Sequence, residues 1–196
     1  LSDFNLWFIT GIEHIADWQG YDHILFLLAL CGVYEIKQWK NVLVLITAFT
    51  MGHSITLALS VTNTLSIKSE LIEFLIPITI ILTASYNLYT NYKNKQNNPK
   101  ISYGAAVLFG FIHGMGFSYL LKSLLGKSES ILSPLFAFNV GLEAGQIIIV
   151  ASILIISLFL TSVLKINPKL KNNFISLGVL IIASIMAFER LPALTN

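Results

Sequence analysis

Apolar residues fill this chain in long stretches, and the polar residues that interrupt them fall at a few places. A helix needs about 20 mainly apolar residues to cross a bilayer. Six stretches read as spans: near residues 21–34 with an N-terminal extension, then 41–63, 70–92, 103–125, 133–164 and 173–190. Pro134 suits the first turn of the fifth. Residues 4–15 are apolar but short, which predicts an interfacial or re-entrant helix. The pattern therefore predicts an all-α membrane protein, a bundle of six transmembrane helices plus a short N-terminal helix, with residues 1–196 forming one domain.

Composition supports a lipid solvent. The chain is 55% hydrophobic and 11% charged, where soluble domains carry roughly 25% charged residues. The net charge of +2 gives no nucleic-acid footprint, so the bilayer is the expected macroscopic partner. Cys31 sits inside an apolar helix and reads as a small packing residue.

Lysine placement predicts orientation. Lys37, Lys40, Lys93, Lys95, Lys100, Lys165, Lys169 and Lys171 follow the first, third and fifth spans, against Lys68, Lys122, Lys127 and Arg190 on the other side. The positive-inside rule makes the first set cytoplasmic. The expectation is a multi-pass protein of the bacterial cytoplasmic (inner) membrane with both termini outside. An outward N-terminus would also fit a chain whose leader has been removed, which is the expectation for one that starts at Leu1 without a methionine.

Against this background all four histidines sit beside apolar helical sequence, with two acidic residues among them. They are His14, Asp22-His23, His53, His113 and Glu143. Ionisable groups at membrane depth are costly and usually functional, and histidine with carboxylate is ligand chemistry for a first-row transition metal. At 1.5 Å of rise per residue, His53 and Glu143 lie roughly 15 Å, and His113 roughly 18 Å, from the outer ends of their spans. His23 reaches a comparable depth, so four helices are expected to bring His23, His53, His113 and Glu143 to one layer. A break near Gly20 would return His14 toward the same cavity, at its mouth with Asp22 and His23.

Neighbours refine each expectation. Adjacent residues point about 100° apart on a helix, so Asp22 and His23 divide into a ligand and a group that orients it. Thr50 and Ser54 flank His53 and can bond across helices. His113 lies among Gly110, Gly114 and Gly116, which permit close helix approach. Asn139, Glu143 and Gln146 share one helix face, so Thr50, Ser54, Asn139 and Gln146 are expected to support the ligands. Glu189-Arg190 reads as a pair near the outer interface, and Glu13, Asp17 and Glu73 as interfacial acids.

At these residues the chain resembles the HupE/UreJ family of bacterial membrane proteins, in GIEHIADWQGYDHILFLLAL, TAFTMGHSITLALS, FGFIHGMGFS and FNVGLEAGQ. The likeness is to the more distant second branch. Hydrogenase-linked members place a glutamate after the histidine-glycine motif, where this chain has Phe117 and Ser118. What the resemblance implies is nickel or cobalt transport supporting hydrogenase or urease maturation, with His14, Asp22, His23 and His113 as the carried-over positions.

Together these point to a permease for a divalent transition metal, with nickel or cobalt ahead of zinc. A second copy of the chain or a metallochaperone is the expected partner. Neutral imidazoles would bind the ion, so uptake should weaken below about pH 6.5. The chain holds no GxxxxGK[ST] motif, so energy would come from gradients or a partner. The rival expectation is an intramembrane, zinc-like hydrolase with Glu143 as general base, though no HExxH motif is present. A third is an assembly or sensor subunit.

Overall fold

A computed structural model describes residues 3–18, 20–65, 67–95, 98–125 and 131–194. Lys127 and the side chain of Lys122, both counted above for orientation, lie outside the described residues. Seven α-helices appear among those residues: α1 (Asp3–Ala16), α2 (Asp22–Cys31), α3 (Trp39–Val61), α4 (Ser69–Tyr92), α5 (Pro99–Leu125), α6 (Leu132–Leu158) and α7 (Pro168–Arg190). A 3-10 turn, Ile36–Gln38, leads into α3, and a wider π turn, Phe159–Val163, extends α6.

Among the described residues, four helical stretches are long and apolar enough to cross a membrane: Ile36–Val61, Ser69–Tyr92, Leu132–Val163 and Pro168–Leu194. They match the second, third, fifth and sixth expected spans. The first expected span is different. Its helix, α2, has ten residues, about 15 Å of length, which is half a bilayer core. The chain breaks between Ala16 and Asp22, around Gly20, so the N-terminal region is two short helices.

Helix ends follow local chemistry. α3 and α4 stop beside Asn63 and Asn94, whose φ values of 58° and 52° are left-handed and suit asparagine better than most side chains. α7 starts where the Asn167 side chain accepts from Lys169 N at 2.9 Å, with Pro168 in the first turn.

Packing runs in pairs, with α3 along α5, α1 along α6 and α4 along α7. Lipid tails are as apolar as leucine, so close backbone approach supplies the attraction that hydrophobicity supplies in water. A methyl group on Gly52 would strike the Val107 carbonyl, one on Gly110 the Phe49 carbonyl, and one on Gly114 the His53 carbonyl. Gly11 and Gly141 play the same part between α1 and α6, against the backbones of Phe138 and Phe8. These contacts set two helices face to face and bring their polar residues inward. Gly116 instead faces the Ile76 side chain.

Candidate metal centre

His14 stands near the end of α1, and Asp22 and His23 open α2 across the break. His53 sits mid-way along α3 and His113 in α5, beside the glycine contacts that clamp these helices together. The break therefore brings one histidine from each short helix against one from α3. Ligand nitrogens of His14, His23 and His53 all lie within 4.8 Å of one another. His113 joins from the far side of His23, with ring centroids 5.4 Å apart.

The nitrogens are prepared to receive something. His53 is fully buried and His113 is 1% exposed. Among the described residues, no hydrogen-bond partner meets His14 Nε2, His23 Nε2 or His113 Nε2, and the polar neighbour of the His53 ring is the Asn139 side chain. A buried polar atom left unpaired costs about 1–3 kcal/mol. Three such atoms beside the His53 ring point to a ligand that would satisfy them. Nitrogen donors at this spacing suit a divalent first-row ion.

Two of the rings have a defined orientation. His113 Nδ1 lies 2.9 Å from the Phe109 carbonyl. A carbonyl only accepts, so Nδ1 carries the proton and the Nε2 lone pair is left for a metal. Asp22 Oδ1 lies 3.0 Å from His23 Nδ1 and accepts the His23 backbone N–H at 2.9 Å. The Nδ1 contact is close without being a well-aligned hydrogen bond. It still favours the proton on Nδ1 and the lone pair on Nε2, the outer arrangement metal-binding histidines commonly have.

Arg190 completes this support, and its role was not foreseen as anything beyond a pair with Glu189. Its guanidinium reaches Asp22 Oδ2 at 3.2 Å and donates to the Glu73 carbonyl at 2.8 Å. That carbonyl is open because Pro77, four residues on within α4, has no N–H to offer it. A proline inside an apolar span, which frees the carbonyl four residues before it, was the signal in the sequence.

The cluster borders a cavity of about 710 Å³ at the end of the bundle that holds the α1–α2 break. Glu13, Asp17, Asp22 and Glu73 line it against the single cation Arg190 among its lining residues. The excess of carboxylates draws cations toward the mouth. Aromatic rings pack against the histidines. Phe117 lies 3.9 Å from His14 and stacks on Phe138 at 4.9 Å, while Phe26 and Phe49 flank His113 at 5.1 and 5.2 Å. His14 thus stands in the cluster itself, where the sequence had placed it at the mouth.

Glu143 stands elsewhere. Its carboxylate accepts from the Thr47 hydroxyl at 2.7 Å in a groove between α3 and α6 that Met51, Ile55 and Phe136 help to line. The residues expected to support the ligands form a ladder on the same seam. Thr50 donates to Gln146 Oε1 at 2.7 Å, and Ser54 Oγ lies 2.7 Å from Asn139 Oδ1. The structure brings His14, Asp22, His23, His53 and His113 together and leaves Glu143, Thr50 and Gln146 on the α3–α6 seam beside them, while the Asn139 side chain on that seam also reaches His53.

The family model described as HupE / UreJ protein matches residues 1–190. The chain belongs to the HupE/UreJ family. This HupE/UreJ chain matches no curated protein and no solved structure. The matched region contains the whole histidine cluster, three of the four long apolar stretches and all but the last four residues of the fourth, so the HupE/UreJ protein is a membrane protein with a histidine group able to hold a transition metal.

Proposed function

We propose that this HupE/UreJ protein carries a divalent transition-metal ion, nickel or cobalt first, across the bacterial cytoplasmic membrane. The observation that carries the reading is the triad of His14, His23 and His53, with ligand nitrogens within 4.8 Å of one another and, among the described residues, no hydrogen-bond partner for His14 Nε2 or His23 Nε2. We take α5 as a fifth crossing helix, and α1 with α2 as two half-helices that together fill the sixth position of the bundle. The carboxylate-lined chamber then faces outward, with both termini on that side. Discontinuous helices of this kind are how many transporters build an ion site near the midplane.

In this reading the ion is substrate. It loses part of its water shell among Glu13, Asp17 and Glu73, and binds His14, His23 and His53. His113 offers a fourth nitrogen as the ion moves inward. Asp22, held by Arg190, orients His23. The hydrolase reading is not favoured, since the base it needs, Glu143, is engaged by Thr47 in the neighbouring groove.

The test combines metal titration of the purified chain with flux into proteoliposomes, using Ni²⁺, Co²⁺ and Zn²⁺. One ion should bind per chain, His23→Ala and His53→Ala should abolish both binding and flux, and the preferred ion should accumulate inside the vesicles. A parent chain that binds none of the three, or flux that survives both substitutions, would sink the proposal.

A further inference from the structure

We propose that a second cation chamber lies at the opposite end of the bundle, built from amide and carboxylate oxygens, and that it receives the divalent ion in hydrated form before release. This inference rests on the transport reading above.

The chamber is a cavity of about 380 Å³ whose lining includes Tyr34, Glu35, Gln38, Asn91, Lys95 and Asn172. Two helices fix its distance from the histidines. On α4, Glu73 lines the histidine chamber and Asn91 the second one. On α7, Arg190 lines the first and Asn172 the second. Each pair is separated by roughly 27 Å of helix, close to the thickness of a bilayer core.

α2 bridges the two. Asp22 and His23 at its start face the first chamber, and Val33, Tyr34 and Glu35 just past its end line the second. Between them Phe26, Leu27 and Cys31 are almost wholly buried. The half-helix is a dry partition about 15 Å long with a polar chamber at either end. Its last turn is pinned where Asn87 donates to the Ala29 carbonyl at 2.7 Å.

The chemistry of the second chamber suits a cation that is leaving. The C-terminal end of α2 carries partial negative charge, and Glu35 adds a formal one. Asn172 Oδ1 is buried and, among the described residues, meets no hydrogen-bond donor. Oxygen donors hold first-row divalent ions more weakly than imidazole does. Passage requires a site that binds tightly enough to admit the ion, followed by one weak enough to let it go. Lys95 also lines the chamber, and its positive charge keeps that second affinity low.

The experiment uses the full chain with Co²⁺ and Ni²⁺, measuring binding in detergent and flux in proteoliposomes for the parent, Glu35→Gln and Asn172→Ala. Affinity at the histidines should stay within about twofold in both variants, as expected for sites this far apart. Flux should fall on the order of tenfold in Glu35→Gln, the loss of one charged ligand, and less in Asn172→Ala. Retained binding also shows that each variant is folded. Parent-like flux in both variants overturns the second chamber, and so does loss of histidine binding in both. A parent that binds metal and never moves it overturns the transport reading, and the chamber with it.

Discussion

Asp22 Oδ1 stands 3.0 Å from His23 Nδ1, so a carboxylate biases which nitrogen of that imidazole is left for a metal. Replacing it by an amide removes the charge and allows the ring to adopt the wrong tautomer. Asp22→Asn is predicted to lower metal affinity by about 10–100-fold, the usual cost of losing such an outer partner. Calorimetric titration of the variant against the parent checks this. A parent-like affinity would mean that Asp22 serves only to pair Arg190.

Arg190 in turn depends on Pro77. The proline leaves the Glu73 carbonyl without a helical donor, and Arg190 fills the gap while reaching Asp22. Arg190→Met should destabilise the chain by about 1–2 kcal/mol, discounted from the cost of a fully buried pair because the arginine side chain is 29% exposed. The loss should shrink when Asp22 is already asparagine, since the charge that Arg190 balances is then gone. Thermal unfolding of the two single variants and the double variant measures this coupling. Simple additivity would show that Arg190 acts through Glu73 alone.

The glycines separate packing from site geometry. A methyl group on Gly114 would meet both the His53 carbonyl and the Thr56 hydroxyl, whereas one on Gly104 meets nothing within 4 Å, though both lie in α5. Gly114→Ala should therefore push α5 off α3, separate His113 from His53 and weaken metal binding. Gly104→Ala should leave binding unchanged and stabilise the chain by roughly 0.5–1 kcal/mol through helix propensity. Paired melting and titration experiments distinguish the two, and equal effects would remove the close-packing account of the α3–α5 interface.

Much of this arrangement was legible in the chain because depth along a helix is a count of residues. His23, His53 and His113 are expected at similar depths, and the structure gathers them. The break near Gly20 was legible too, since His14 and Asp22-His23 could not otherwise share a cavity. Rotation about a helix axis is another matter, because hydropathy is nearly uniform around an apolar span. Asn139, Glu143 and Gln146 do share a face, but α6 turns that face to Thr47, Thr50 and Ser54 while Gly141 turns to α1. The length of α2 escaped for a related reason. Its apolar run continues past Cys31 to Tyr34, yet the helix ends at Gly32 and the chain turns toward α3.

Glu143 gives the sharpest comparison, because depth alone places it with the histidines and the structure seats it on Thr47 at 2.7 Å. An amide oxygen can accept that hydroxyl as well as a carboxylate can, so Glu143→Gln keeps the seam intact while removing the charge. The predicted outcome is a metal affinity within about twofold of the parent, as for a site that shares no ligand with the cluster. His53→Ala removes one member of the triad and should cost more than about 100-fold, beyond the range for losing an outer partner. Titrating both variants with Ni²⁺ and Co²⁺ puts the two residues on one scale. If Glu143→Gln loses as much affinity as His53→Ala, the α3–α6 groove must close onto the ion when it binds, and the ligand set has to include Glu143.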